Sequence, residues 1–481
     1  MTQAPKSSTA PPPHSGLPTL PAVPPQPTSP GTAPTPLSPP EARRTAFAEG
    51  VDRLRAAATT EPGRLRIIGA LLALLVVAFG AVTAWQMTDR AAAADDVINS
   101  SQPLSSDAAA IYRSLADANT AATSGYLAGQ QETPTNRRRY AEDIHTAADK
   151  LVTAAANSEP GSPSADLIAQ INKLLPEYEG LVETARANNR QGYPVGGAYL
   201  RAANEMMQQQ MLPKAENLYQ TENRRLRSDY ADAKSFPWPA LALGVLALAA
   251  LAWAQRRNYL RTNRVLNHGL VAATATATIV LLWLVAGHTI ARAGLNDSYD
   301  HGVRSLNVLH DARIASLTAR SDENLALVRR GADTKELADG RIVDAYNAGY
   351  DEQIAALGEA LTQAGALADD DTGRKPVQDA NGYMKVWKER HEVAREENDS
   401  GDYQKARDKV IGAAEEPTSE CFDSVDKALA TALSHEQNEF KQAASDGRDA
   451  LTGLPVGAAV LAVLGAAGAV LGIGRRLSEY R

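Results

Sequence analysis

Residues 67–87 read IIGALLALLVVAFGAVTAWQM, and beyond them Leu104, Ala108, Ile111, Leu115, Ala118, Ala122 and Tyr126 recur in steps of four and three. The first stretch has the roughly 20 apolar residues that cross a hydrocarbon core of about 30 Å. The second puts its apolar residues on a single helical face. The pair predicts a membrane span that continues outward as the first helix of a bundle. Three more windows have the same length and character: FPWPALALGVLALAALAWA at 236–254, residues 269–290 with His288 as the ionisable group, and residues 454–473 built from Ala, Val, Leu, Gly, Ile and Pro. Four spans follow, and with them an all-α membrane protein.

Composition agrees. Of 481 residues, 44% are apolar but only 5% aromatic, and the single cysteine, Cys421, excludes a disulfide framework or a Cys-rich metal site. Arginines flank the spans unevenly. Segments 1–66, 255–268 and 474–481 hold 14 Lys/Arg against 5 Asp/Glu, a net of +9, so the remainder carries −16 of the total −7. By the positive-inside rule both termini and the middle loop are cytoplasmic, and the two long acidic segments lie outside the cell membrane. The first apolar run begins after 66 residues, too late for a cleaved signal peptide, so it is expected to remain as an anchor.

The expected organisation is a disordered Pro-rich leader (1–40), a basic juxtamembrane segment (41–66), span one (67–87), bundle one (88–235), span two (236–254), a cytoplasmic basic loop (255–268), span three (269–290), bundle two (291–453), span four (454–473) and a tail (474–481). The leader holds 14 of the 27 prolines and too little apolar surface to offset chain entropy. Residues 41–66 read either as an amphipathic helix on anionic lipid or as a plain charge anchor. No cytoplasmic piece is long enough for a kinase or cyclase domain. Any output therefore passes through a partner, met on the loop with Arg256, Arg257, Arg261 and Arg264 or on the N-terminal segment.

The two outer segments follow one plan. In the first, helices are expected at about 104–126, 136–157 and 168–189 and from Gly197 into span two, punctuated by Pro134, Pro160, Pro163 and GYPVGG. This is an up-down-up-down four-helix bundle. The third helix uses Ile168, Ile171, Leu175, Tyr178, Val182, Ala185 and Asn189. Adding 209 gives Val377, Ala380, Met384, Trp387, His391, Ala394 and Asn398 in the same stepping. A shift of 202 pairs Leu104 with Leu306, Leu115 with Leu317 and Gly129 with Gly331, and a shift of 204 pairs Pro213 with Pro417. The chain reads as a tandem duplication. The change of offset from 209 to 204 makes the loop at 190–196 longer than its counterpart and, on that ground, the larger tip. Arg190, Gln191, Gly192 and Tyr193 in it combine anchor side chains with a backbone open to close approach, so this membrane-distal tip is the candidate partner-binding surface.

Catalytic motifs are absent: there is no phosphate loop, no HExxH, no GxSxG. His391 falls on the core face and reads as a core histidine. His145, His301, His310 and His435 lie on separate helices, with no spacing that compels a metal site, and Asp369–Asp371 reads as solvated charge in a loop. Cys421 is either a free thiol or half of an intermolecular disulfide. The span centres carry no charge, as a transport path would. Gly457, Gly465, Gly468 and Gly472 in span four point to close helix packing. No enzyme activity, cofactor or metal is expected.

Two membrane-tethered four-helix bundles resemble the sensor domains of bacterial chemoreceptors and histidine kinases, without their cytoplasmic output. The fuller arrangement resembles the GlnX-type family of actinobacterial four-span membrane proteins. The likeness lies in PGRLR at 62–66, the duplication, and ARANNRQGYPVGGAYLR at 185–201, and spans about 62–481. It implies a relay of amino-acid availability from a glutamate-binding lipoprotein outside to a cytosolic serine/threonine kinase. The partners expected are thus the membrane, an extracytoplasmic ligand-binding protein, a cytosolic protein kinase and a second copy as homodimer, with no nucleic acid. The runner-up is a scaffolding cell-envelope protein, followed by a transporter accessory subunit.

Overall fold

The computed structural model describes residues 60–262, 267–329, 331–412 and 415–477. The Pro-rich leader, most of the juxtamembrane segment, Arg264 and residues 478–481 of the tail lie outside these. Helix α1 (Glu61–Asp96) runs through a π-helical turn (Val97–Ser101) into α2 (Gln102–Ala128). Together they form part of a stretch, Gly63–Gln131, of 69 residues whose apolar window is long enough to cross a membrane. At 1.5 Å per residue that is about 100 Å.

Two helices follow, each opened by a hydroxyl cap and a proline in its first turn. Thr133 accepts from the Asn136 amide ahead of α3 (Pro134–Asn157), and Ser162 accepts from the Ala165 amide ahead of α4 (Pro163–Arg190). The chain returns through α5 (Gly196–Met206), a second π turn (Met207–Met211) and α6 (Leu212–Ala233). It crosses again in α7 (Trp238–Thr262).

The second half repeats this. Helix α8 (His268–Asp297), a π turn (Ser298–Val303) and α9 (Arg304–Arg329) rise as one run. Then come α10 (Ala345–Leu367), α11 (Asp371–Asp399), α12 (Tyr403–Ile411), α13 (Thr418–Asp449) and the last span, α14 (Leu454–Leu477). Four candidate spans, one in each of these long runs, make this an all-α multi-pass membrane protein.

The spans form a ring in which α14 packs on α1 and α8, and α7 packs on the same two. Glycines set the closest approaches, as their sequence pattern predicts. A methyl group at Gly269 would strike the backbone of Gly468 and Gly472, and one at Gly80 would strike Ala462.

Four features depart from expectation. The returning helix does not run unbroken into span two: Lys234–Pro237 interrupt it, and the Ser235 carbonyl there accepts from the Arg90 Nε at 2.7 Å. The second tip carries a two-stranded hairpin, Thr334–Glu336 with Ile342–Asp344, where the first has only a 3-10 turn, Gly129–Gln131. The second tip is therefore not the smaller one, because the extra residues at 190–196 are outweighed by this insertion. Asp370 is not idle charge; it caps α11 by accepting from the Gly373 amide at 2.7 Å.

The fourth departure concerns how the halves meet. They pack side by side along α2 and α9 and share one apolar core that includes Ile111 and Tyr178 with Leu317 and Trp387. From Ser114 to Thr123 every residue of α2 is buried, not one face alone.

Candidate functional site

The seam between α2 and α9 is polar at its centre. Asn119 Nδ2 donates to Asn204 Oδ1 at 2.9 Å and to Ser321 Oγ at 3.1 Å, and Tyr178 donates to Asn119 Oδ1 at 3.3 Å. Thr120 donates to the Leu317 carbonyl at 2.8 Å, and Asn324 donates to Ser124 at 2.7 Å. The three pairs that cross the seam are 202, 197 and 200 residues apart, and the first, Asn119 with Ser321, is at the offset of the duplication itself. Because α2 and α9 run in the same direction, contacts between equivalent positions place a quasi-twofold relation between the halves. The buried amides and hydroxyls fix register, since a slip would leave them unpaired.

Beside the seam lies a charge cluster. Arg139 on α3 reaches Asp117 at 2.8 Å, Asp423 at 3.2 Å and Asp426 at 3.3 Å, and Arg313 holds Asp426 at 2.7 Å. Asp143 sits buried among these groups, its carboxyl pushed up to about 8 by burial and then by Asp117. Deeper in the second bundle, Glu323 is bound by Arg320, by Trp387 Nε1 and by His391 Nδ1 at 3.0 Å, with the His391 ring stacked on Tyr350. Burial opposes ionisation of Glu323, yet Arg320 and His391 outweigh it and hold the carboxyl below its usual range. His391 is thus a partnered core histidine.

A cavity of about 310 Å³ opens between the halves, walled by α2, α6, α9 and α13. These are the first and fourth helices of each bundle. Arg113, Arg313, His310, Asn223, Asn307 and Gln102 project onto it. Sequence reasoning missed it, because its residues come from four helices and two repeats. For the neighbouring seam one signal existed: from Ser114 to Gln131 the lone charged residue is Asp117, so this part of α2 has no solvated face.

At the first tip, Arg190 ends α4 and Gln191 follows it, both exposed; Gly192 has a φ of +75°. Tyr193 is 55% exposed, with its amide bonded to the Asn188 carbonyl at 2.9 Å. The four residues lie together on one turn. At the other end of the molecule, Arg256 is exposed and the Arg257 guanidinium lies 5.5 Å over Trp253. Arg261 is in the last turn of α7, and Arg264 is beyond the described residues. The loop's flanks are tied down: Asn267 caps α8 and donates to the Gly472 carbonyl at 2.9 Å, and Gln255 donates to Thr274 at 2.8 Å.

Asp370, His435 and Glu439 converge, with His435 Nε2 3.2 Å from Asp370 and 3.3 Å from Glu439. The helix spacing of His435 and Glu439 suits two ligands of one ion, but the Asp370 oxygen nearest His435 already caps a helix. Cys421 is buried and free, with burial pushing its thiol up. An intermolecular disulfide through it does not fit this position.

Paired helical bundles carried on four candidate spans define the class: an all-α multi-pass membrane protein. Residues 93–231 match the family model of the actinobacterial sensor domain. The match runs from the end of α1 into the last turn of α6, so it covers nearly all of the first bundle and supports a sensing role. No curated protein and no solved structure matches the chain.

Proposed function

We propose that the chain is a non-enzymatic transmembrane relay of the GlnX type. In this reading both termini are cytoplasmic and residues 90–235 and 291–451 lie outside. An extracytoplasmic binding protein that reports an amino acid docks at Arg190, Gln191, Gly192 and Tyr193. The cytoplasmic face with Arg256, Arg257, Arg261 and Arg264 meets a partner such as a serine/threonine kinase.

The observation that carries the reading is the helical run Gly63–Gln131, which links the seam to the Arg64–Arg66 end of span one without a break. A shift of one to two ångströms along such a rod is transmitted to its far end, because packed helices slide and do not compress. The tied flanks of the basic loop would pass that motion to a bound partner.

The test has three arms. Cysteines at Gln131 and Asp370 should be labelled in intact cells and one at Asn258 should not. Deleting Gly192–Gly196 should abolish capture of the outer partner with helicity unchanged. Reversing charge at Arg257 and Arg261 should impair output, and removing residues 2–40 should not, once orientation of both variants is checked. Undiminished capture, or full output from the charge-reversed chain, would refute the assignment.

A further inference from the structure

The cavity between the halves lies in acidic surroundings, for the segments flanking the spans on this side carry −16 of the total −7 against +9 elsewhere. Its wall nevertheless contains no Asp or Glu among the described residues, and it contains two arginines. Arg313 is neutralised by a two-pronged contact with Asp426, at 2.7 and 3.1 Å. Arg113 is not: among the described residues it makes no hydrogen bond and no ion pair. The acids that act on it from further away are Asp117, Asp426 and Asp143. Asp117 and Asp426 already bind Arg139, and Asp143 is buried with a raised carboxyl. Burial and then Arg313 pull the Arg113 pKa down, the mark of a cation short of counter-charge. His310 adds no charge, since burial holds it at about 3.

Besides Arg313 and His310, the polar groups on the wall around Arg113 belong to amides and hydroxyls. Tyr219 donates to Asn307 Oδ1 at 2.7 Å, which orients that carboxamide with its NH2 group unspent, and Ser105 donates to Asn223 Oδ1 at 2.8 Å while the Asn223 NH2 serves the Tyr219 oxygen.

We infer that this cavity is a binding site for a small organic anion bearing one or two carboxylates, with Arg113 as its charge partner and Asn307 as a neutral donor. The site stands between the first and fourth helices of both halves, about 18 to about 35 Å beyond Arg90 along the α1–α2 run. An occupant would touch both halves at once. This goes beyond relay from a docked protein, since it gives the chain a ligand of its own.

The test uses the full chain in lipid nanodiscs and calorimetric titration with succinate, glutarate and L-aspartate, with 1,4-butanediol as the neutral isostere of succinate. At least one of the anions should bind saturably up to millimolar concentration, and the diol should not. Arg113→Ala should weaken that binding about tenfold or more, and Arg113→Lys should retain most of it. Ala110→Leu, which fills the cavity without changing charge, should also block it and covers the case that Arg113→Ala does not fold. No saturable binding by any of the three, or equal binding by Arg113→Ala and Ala110→Leu, would overturn the site. Binding that is intact while cytoplasmic output never changes would leave the site standing and sink the relay reading.

Discussion

Asn119 donates a hydrogen bond to the Ser321 hydroxyl across 3.1 Å, and the two positions are 202 residues apart, the offset that superposes the two halves of the chain. One duplicated chain thus builds internally the kind of paired bundle that two identical subunits would build by symmetry. Asn119 also serves Asn204 and Tyr178, so three partners depend on one side chain that is 2% exposed. Asn119→Ala should leave all three short of a partner in a dry site and cost about 1–3 kcal/mol. Chemical denaturation of the detergent-solubilised chain reads this directly, and unchanged stability would mean that the seam does not hold the halves.

Asp143 gives the fold a pH signature. Its carboxyl, pushed up to about 8 by burial and Asp117, keeps its proton in the folded chain where the unfolded chain has released it. Stability is therefore lost as pH rises from about 4 to about 8, by at most about 1.4 kcal/mol per unit for one such group. Asp322, Asp311 and Glu436, also raised by burial, add slopes of the same sign. His310, held at about 3, acts oppositely as pH falls below 6.5. Asp143→Asn should flatten the decline of melting temperature between pH 6.5 and 8; an unaltered profile would remove Asp143 from the account.

Gly269 lies against the backbones of Gly468 and Gly472, and Gly474 has open space around it. Gly269→Ala should force α8 and α14 apart and destabilise the span ring by about 1–3 kcal/mol. Gly474→Ala should be neutral or slightly favourable, since alanine suits a helix better. Thermal unfolding in nanodiscs separates the two, and equal behaviour would argue against close α8–α14 packing.

Much of this fold was legible because membrane spans and bundle helices leave strong periodic marks. The four apolar windows, the third-helix series from Ile168 to Ala185 and the breaks at Pro134 and Pro163 stand where pattern and turn chemistry put them. The second tip was not legible: residues 334–344 are polar apart from Leu337, Ala338, Gly340, Ile342 and Val343, and a three-residue strand pairing leaves almost no alternation to read. The seam was hidden for another reason. A helix face made of Ala116, Thr120 and Thr123 carries no large apolar residue, so a hydrophobic stripe locates the core of each half but not the joint between halves. The tip and loop residues were nameable from charge and glycine content, whereas Arg113 and Asn223 come together only once four helices are packed.

In the relay reading an outer event moves the spans at their inner ends, and Gly69 and Ile473 allow that movement to be measured. A Cβ at Gly69 would lie 3.4 Å from that of Ile473, close to disulfide geometry. In a Cys421→Ala background, Gly69→Cys with Ile473→Cys should cross-link on mild oxidation of membranes. The rate should differ at least about twofold between amino-acid-replete and starved cells in the full chain, and should not differ when Gly192–Gly196 are deleted. Identical rates in the full chain under both conditions would contradict a relay through the helices.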